Sequence, residues 1–243
     1  MSVKWIGWVG ILHVLFIVGW IVYNLSHYLI YPAPLLEDGQ SLAELGILYY
    51  SEHRGLLGFD HGSKSLMMLL SIVLPVGIFY ILKRDSAFDL LNMLALVAGV
   101  VGFTLYSLSL MLQAVTVEYA FQLFVSNNDA SAQAFATLIY DWTMLQGGFS
   151  VSIYILANLS LATWLLIHSK KIARDFKMKV FGVFGMTVGF LHIGGYSVSW
   201  FFLMQGSQVM HEVNEVVGVL WLVWLAWVSL YIINGKINRS EIN

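Results

Sequence analysis

Apolar residues fall in six long runs along this chain, at residues 5–30, 66–82, 88–117, 142–167, 180–204 and 213–233, separated by charged and turn-forming stretches. A helix needs about 20 such residues to cross a hydrocarbon layer. The pattern therefore predicts an all-α fold, a polytopic membrane helical bundle of six transmembrane helices forming a single transmembrane domain over residues 1–243. The third and fourth runs carry their helical pattern past the membrane, to about residue 125 and back from about residue 130, with Ser126, Asn127, Asn128 and Asp129 as the turn. Together they predict a long helix 3/helix 4 hairpin protruding on the outer side, with its tip at residues 118–141. A single helix over residues 130–167 would extend about 57 Å.

Polar positions refine this outline. In the first helix His13, Ile17, Trp20, Asn24 and His27 recur at steps of three and four, so they form one stripe that faces protein rather than lipid. Tyr31, Pro32 and Pro34 end that helix and open an outer loop over residues 31–62. Within the loop Ser41 and Glu44 have the spacing of a capping box, and Leu42, Leu45, Leu48 and Tyr49 predict a short amphipathic helix. Pro75 and Gly77 predict a kink in the second span. In the fifth span Gly182, Gly185, Gly189, His192 and Tyr196 share a face, and small residues at that spacing mark where helices approach closely in lipid.

Composition agrees with the pattern: 59% of the residues are hydrophobic and 11% charged, with a mean hydropathy of +0.78, outside the usual balance of soluble domains. The bilayer is therefore the first partner. Ten of the twelve Lys and Arg residues flank one face of the predicted bundle, leaving only Arg54 and Lys64 on the other. By the positive-inside rule both termini are cytoplasmic, in a cell membrane. Lys4 ahead of an apolar run has the look of a secretory signal, but the run is too long and lacks a small-residue cleavage site, so it reads as a retained first helix. No basic run or aromatic-interleaved patch suits nucleic acid, which is excluded as a partner. The chain has no cysteine, so a metal would have to sit on His, Asp or Glu.

The candidate chemistry gathers at the outer end. His27, His53, His61, Glu118, Asp141, His211 and Glu215 share a common depth, and His211 and Glu215 lie one turn apart, so a divalent metal or a small ligand is one reading. The other is a solvated acidic rim with unrelated histidines. His13 and His192 are the candidate ligands of one haem b, against two separate hydrogen-bonded histidines. Asn24, Gln113, Thr143, Ser150, Tyr154 and Asn158 occupy polar faces that either bond to each other or line a wet cavity. No P-loop, His-Glu-x-x-His or Gly-x-Ser-x-Gly motif occurs. Lys64 reads as sitting at a helix boundary, leaving no buried lysine for a retinal Schiff base.

Three stretches carry a resemblance. Residues 78–84 (IFYILKR) close the second helix, a basic connection spans 170–179, and at 215–236 (EVVGVLWLVWLAWVSLYIINGK) an acidic residue precedes a Trp/Leu-rich helix ending in Gly-Lys. In these the chain resembles a family of bacterial six-helix integral membrane proteins of unknown function. That resemblance implies the fold and supplies no site residues. Three functions follow as expectations. The first is binding of a small ligand or cation near the outer face for transport or sensing. The second is a membrane redox protein with haem b or a non-haem metal held by His. The third is an accessory subunit whose outer hairpin, with Tyr119, Phe121, Phe124 and Phe135, docks a membrane or extracytoplasmic protein partner. A homo-oligomer is compatible with each.

Overall fold

Every described element in the computed structural model of this chain is helical, and the way Pro75 and Gly148 interrupt the spans decides where the polar groups end up. The structure describes residues 3–32, 34–35, 39–53, 55–83, 89–126, 129–145, 148–204 and 211–237, with the side chains of 202–204 and 211–215 outside that description. Among the described residues there are nine helices and no strands: α1 (Lys4–Ile30), α2 (Leu42–Glu52), α3 (Leu56–Leu70), α4 (Val73–Leu82), α5 (Leu90–Ser126), α6 (Ala130–Met144), α7 (Phe149–Asp175), α8 (Lys179–Met204) and α9 (His211–Ile233). Six segments are long and apolar enough to cross a membrane, as in a multi-pass membrane protein. Their outward faces are correspondingly apolar, with Leu15, Leu25 and Leu29 of α1 all largely exposed, a surface compatible with contact to a lipid bilayer.

The second span departs from the expected bounds. It runs over Leu56–Leu82, ten residues earlier than the apolar run alone suggests, and is broken into α3 and α4 at Ser71 and Ile72. The break has a direct cause. Pro75 has no N–H and its ring would strike the carbonyl four residues back, that of Ser71. That carbonyl is instead taken by the Leu74 N–H at 2.9 Å, a tighter turn. Starting the span at Leu56 also corrects the placing of Lys64, which lies inside α3 rather than at a boundary.

A second correction concerns the helix expected over residues 130–167. It is two helices, α6 and α7, parted at Leu145 and Gly148. The Gly148 N–H donates to the Trp142 carbonyl at 3.0 Å, and a Cβ at Gly148 would lie 2.2 Å from that oxygen, so only glycine allows the chain to fold back there. The capping box of α2 is present, with Ser41 N–H donating to Glu44 Oε2 at 2.7 Å and Glu44 N–H to Ser41 Oγ at 3.1 Å.

The helices follow one another round a ring: α1 packs on α9, α9 on α8, α8 on α7, α7 on α5, α5 on α3, and α3 returns to α1 through the thinnest seam of the six. Close approaches fix several seams. Gly182, Gly185 and Gly189 of α8 are buried against Ala173, Ser169 and Leu166 of α7, as their spacing predicts. A Cβ at Gly10 of α1 would meet Ser229 Oγ of α9 at 2.0 Å. At the end carrying both described termini, Leu74, Ile78, Leu82, Phe103, Trp164, Trp224 and their neighbours form the main apolar core. A smaller one at the other end joins Ala43 and Ile47 of α2 to Val117 and Phe121 of α5 and Ala136 and Tyr140 of α6. Phe121, expected on a docking surface, is thus interior.

Candidate functional site

Between these two cores the ring encloses a cavity of about 640 Å³, to which α1, α3, α5, α7, α8 and α9 all contribute side chains. Its position follows from the sequence: the N-terminal half of α1 is drawn onto α9 by contacts at Gly7 and Gly10, and from Val14 onward no α1 residue is buried. The stripe expected on α1 does turn inward, but over open space. Ile17, Asn24 and His27 line the cavity.

The most polar part of the wall is on α3. Asp60 is 3% exposed, and one turn later the Lys64 ammonium stands 2.6 Å from Oδ1 and 2.8 Å from Oδ2 of its carboxylate. Asn24 Nδ2 donates to Oδ2 from α1 at 3.3 Å. The neighbouring His61 donates Nδ1–H to the Leu57 carbonyl at 3.0 Å and holds that nitrogen 3.7 Å from Oδ2. Charge buried this way in a membrane-length helix requires pairing and usually serves a function. This pair escapes a reading based on apolar runs because Asp60 and Lys64 interrupt the run and push the apparent helix start to Leu66. The i, i+4 spacing of opposite charges was the signal that could have found it.

Deeper in, Tyr106 donates its hydroxyl to Tyr154 at 3.1 Å, and the Tyr154 and Tyr196 hydroxyls are 3.3 Å apart. Asn158 Nδ2 donates to the Tyr154 carbonyl at 2.8 Å. Gln113 also lines the cavity and is buried from bulk solvent. Of the six cavity-lining candidates, Asn24, Gln113, Tyr154 and Asn158 are on the wall. Thr143 and Ser150 are instead buried where α6 meets α7, Ser150 donating to the Thr143 carbonyl at 2.8 Å.

Among the described residues the outer histidines and carboxylates do not gather into one group. His27 and His53 meet edge to face at 4.9 Å among Tyr23, Tyr31 and Tyr49, and His53 donates Nδ1–H to the Tyr49 carbonyl at 2.8 Å. Glu118 accepts the Gly58 N–H at 3.3 Å on the other side of α3. Asp141 sits on α6, its carbonyl accepting the Leu145 N–H at 2.8 Å. The His211 and Glu215 side chains lie outside the described residues, although both positions belong to α9. Among the described residues no three His, Asp or Glu side chains are grouped as a metal would require. Over this region α2 forms a roof: the Tyr28 and Tyr50 hydroxyls are in contact, and Tyr49 donates to the Tyr31 carbonyl at 2.9 Å. Burial and the bond to Tyr28 push the Tyr50 hydroxyl far above the ordinary phenol range, so it keeps its proton.

The two haem candidates are each bonded to a protein partner through one ring nitrogen, the other having no partner among the described residues. His13 is fully buried with Phe103 and Trp221 edge-on at 6.1 and 5.3 Å. Its Nδ1 lies 2.6 Å from Ser71 Oγ, which itself donates to the Met67 carbonyl at 2.7 Å. One hydroxyl has one proton, so His13 must be the donor and carries its hydrogen on Nδ1. His192 donates Nε2–H to the Val217 carbonyl at 3.1 Å, which leaves Nδ1 as the lone-pair nitrogen.

A further polar group lies at the end with the described termini, unforeseen in the sequence. Lys171 of α7 is 5% exposed and contacts Asp89 ahead of α5, with Asp175 3.7 Å away. Burial alone would raise the Asp89 carboxyl, but Lys171, the Asn92 N–H and Arg174 outweigh it and hold it below the usual carboxylate range. His168, one turn before Lys171, is fully buried, and neither ring nitrogen has a hydrogen-bond partner among the described residues. Compared with known proteins, the chain matches no family model, no curated protein and no solved structure.

Proposed function

We propose that this chain is a cell-membrane protein, with both termini cytoplasmic and the α5–α6 hairpin on the outer side, that holds a small ligand in its central cavity for transport or sensing. One observation carries the reading: a buried Asp60, paired with a half-buried Lys64, opens onto about 640 Å³ of space among membrane-length helices. That volume falls within the range of small-molecule sites, which combine mostly apolar walls with a few convergent polar groups. Here those groups are Asn24, Asp60, Lys64, Gln113 and the tyrosine series, and the site is deeper than the histidine and carboxylate rim expected from sequence. The orientation rests on the distribution of Lys and Arg.

The test is recovery of the bound compound. Protein extracted from its own membranes and washed is denatured, and the released small molecules are identified by mass spectrometry. A compound present with the wild type and lost from Gln113→Leu supports the reading. A cavity that yields only bulk lipid, identical in both proteins, overturns it.

A second reading has an observation of its own. Tyr119, Phe135 and Leu138 on α5 and α6 are each more than half exposed, and apolar residues on a hairpin beyond the bilayer would mark a docking surface for a membrane or extracytoplasmic protein. Substituting Tyr119 and Phe135 by Ser would then release a partner that copurifies with the wild type. An unchanged set of copurifying proteins would count against it.

A further inference from the structure

We infer that the cavity receives its ligand sideways from the hydrocarbon layer, through the cleft between the outer halves of α1 and α3, and that the ligand is a bilayer-dissolved amphiphile with a flat, carbonyl-bearing head of the quinone class. This rests on the cavity being a ligand site, and it adds the route and the chemistry.

The cleft is a second space, of about 810 Å³, lined by Gly19, Trp20 and Tyr23 of α1 and Phe59 of α3. It coincides with the thinnest seam of the helix ring, where α1 has left its glycine contacts with α9. It is open at its floor: a Cβ added at Gly19 would meet nothing within 4 Å. Phe59 is 70% exposed at its edge, on the side that lipid would cover.

Cleft and cavity have a common wall, because His27 and Leu56 line both. His27 Nε2 has no hydrogen-bond partner among the described residues, so moving this ring aside breaks no bond at that atom. The water-facing approach is less open, since the tyrosines of α2 are tied across the end of α1.

The lining narrows the ligand class. A charged or sugar-like solute would have to shed its water to pass Trp20, Tyr23 and Phe59, whereas a conjugated ring can stack on them. Inside, Asp60 and Lys64 neutralise each other, leaving no net charge for the ligand to meet. Gln113 is buried and makes no hydrogen bond with the described residues, so its amide N–H is available to a carbonyl oxygen.

The experiment uses the full chain in phospholipid nanodiscs, with decylbenzoquinone as the probe and tetramethylbenzoquinone as its tail-less counterpart. We expect saturable binding of the tailed probe, and Gln113→Leu should weaken it about tenfold at equilibrium, the size of one lost hydrogen bond. Gly19→Trp should slow association by a similar factor while leaving the melting temperature unchanged, because it fills open space. Should that variant fold poorly, Gly19→Cys with Phe59→Cys offers a reversible closure in a chain that has no cysteine of its own. Cross-linking should then block probe entry and reduction should restore it. Equal affinity for both quinones, or entry unaffected by either closure, overturns the inference. So does the absence of quinone binding in a protein that still releases a water-soluble compound on denaturation, and that outcome leaves the ligand site standing. Release of no compound at all would instead remove the ligand site itself, and the inference with it.

Discussion

The Lys64 ammonium faces both oxygens of the Asp60 carboxylate, at 2.6 and 2.8 Å, one helical turn apart on α3. Removing one partner of a buried pair strands the other charge, which costs about 3 kcal/mol or more. Asp60→Asn or Lys64→Met alone should therefore lower stability strongly, and the double substitution should recover much of the loss. Thermal unfolding of the four proteins in one detergent gives the coupling directly. Additive single effects would mean that water already screens the pair.

His13 and Ser71 offer a second check. Ser71→Ala leaves the His13 Nδ1–H buried without an acceptor, at a cost of about 1–3 kcal/mol. His13→Phe in the same background removes the stranded donor and should regain part of it. Unfolding by denaturing detergent would rank the variants, and no loss in Ser71→Ala would show that His13 finds another acceptor.

The α1–α9 seam makes a paired prediction about packing. Gly10→Val forces a side chain onto Ser229 Oγ, so overpacking should cost about 1–3 kcal/mol and prise the helices apart. The same change at Gly19, where the added atoms meet open space, should leave the melting temperature within error. Equal losses at both positions would place the α1 contacts elsewhere.

Protonation should matter at the end that carries Lys171. The folded state holds the Asp89 carboxyl below its ordinary value of 3.8, so the unfolded chain binds the proton more readily. The stabilisation is therefore complete above the unfolded value and is lost as pH falls through the folded one. Melting temperature measured from neutral pH down through that window should fall at the acid end, and more shallowly in Asp89→Asn, which has no such carboxyl to titrate.

His168 should behave in the opposite sense to a functional residue of the cavity. Both its nitrogens are buried without partners among the described residues, and replacing an unsatisfied polar ring by an apolar one of similar shape is close to neutral or stabilising. His168→Phe should melt at or above the wild-type temperature and leave ligand release unchanged. A clear drop would show that the imidazole has a partner that only the working protein supplies.

The length and apolarity of the six spans were legible because crossing hydrocarbon demands a long apolar run whatever the tertiary structure. The capping box at Ser41 and the glycine face of α8 were legible too, being local patterns with one physical meaning. The kink expected from Pro75 lies at Ser71 because proline acts on the carbonyl four residues before it, not at its own position. Asp60 falls in the expected outer loop and Lys64 at the expected helix boundary because each is costly alone in a span, and their pairing makes them compatible with one. Cavity walls such as Gln113 and Tyr154 could be proposed from helix faces. The pairing of His27 with His53 apart from any carboxylate group, or the burial of Thr143 and Ser150 where α6 meets α7, depends on how the helices are set against their neighbours, which no single-helix pattern encodes.

The central claim is that an accessible space lies beside the Asp60–Lys64 pair inside the ring of helices, and thiol chemistry tests it most directly. With no native cysteine in the chain, Gln113→Cys on the cavity wall can be compared with its neighbour Ala114→Cys, buried between helices. In membranes treated with N-ethylmaleimide the first should be alkylated at least about tenfold faster, since reaction needs both access and thiolate. Two cysteines equally inert to the reagent would contradict the cavity and the function built on it.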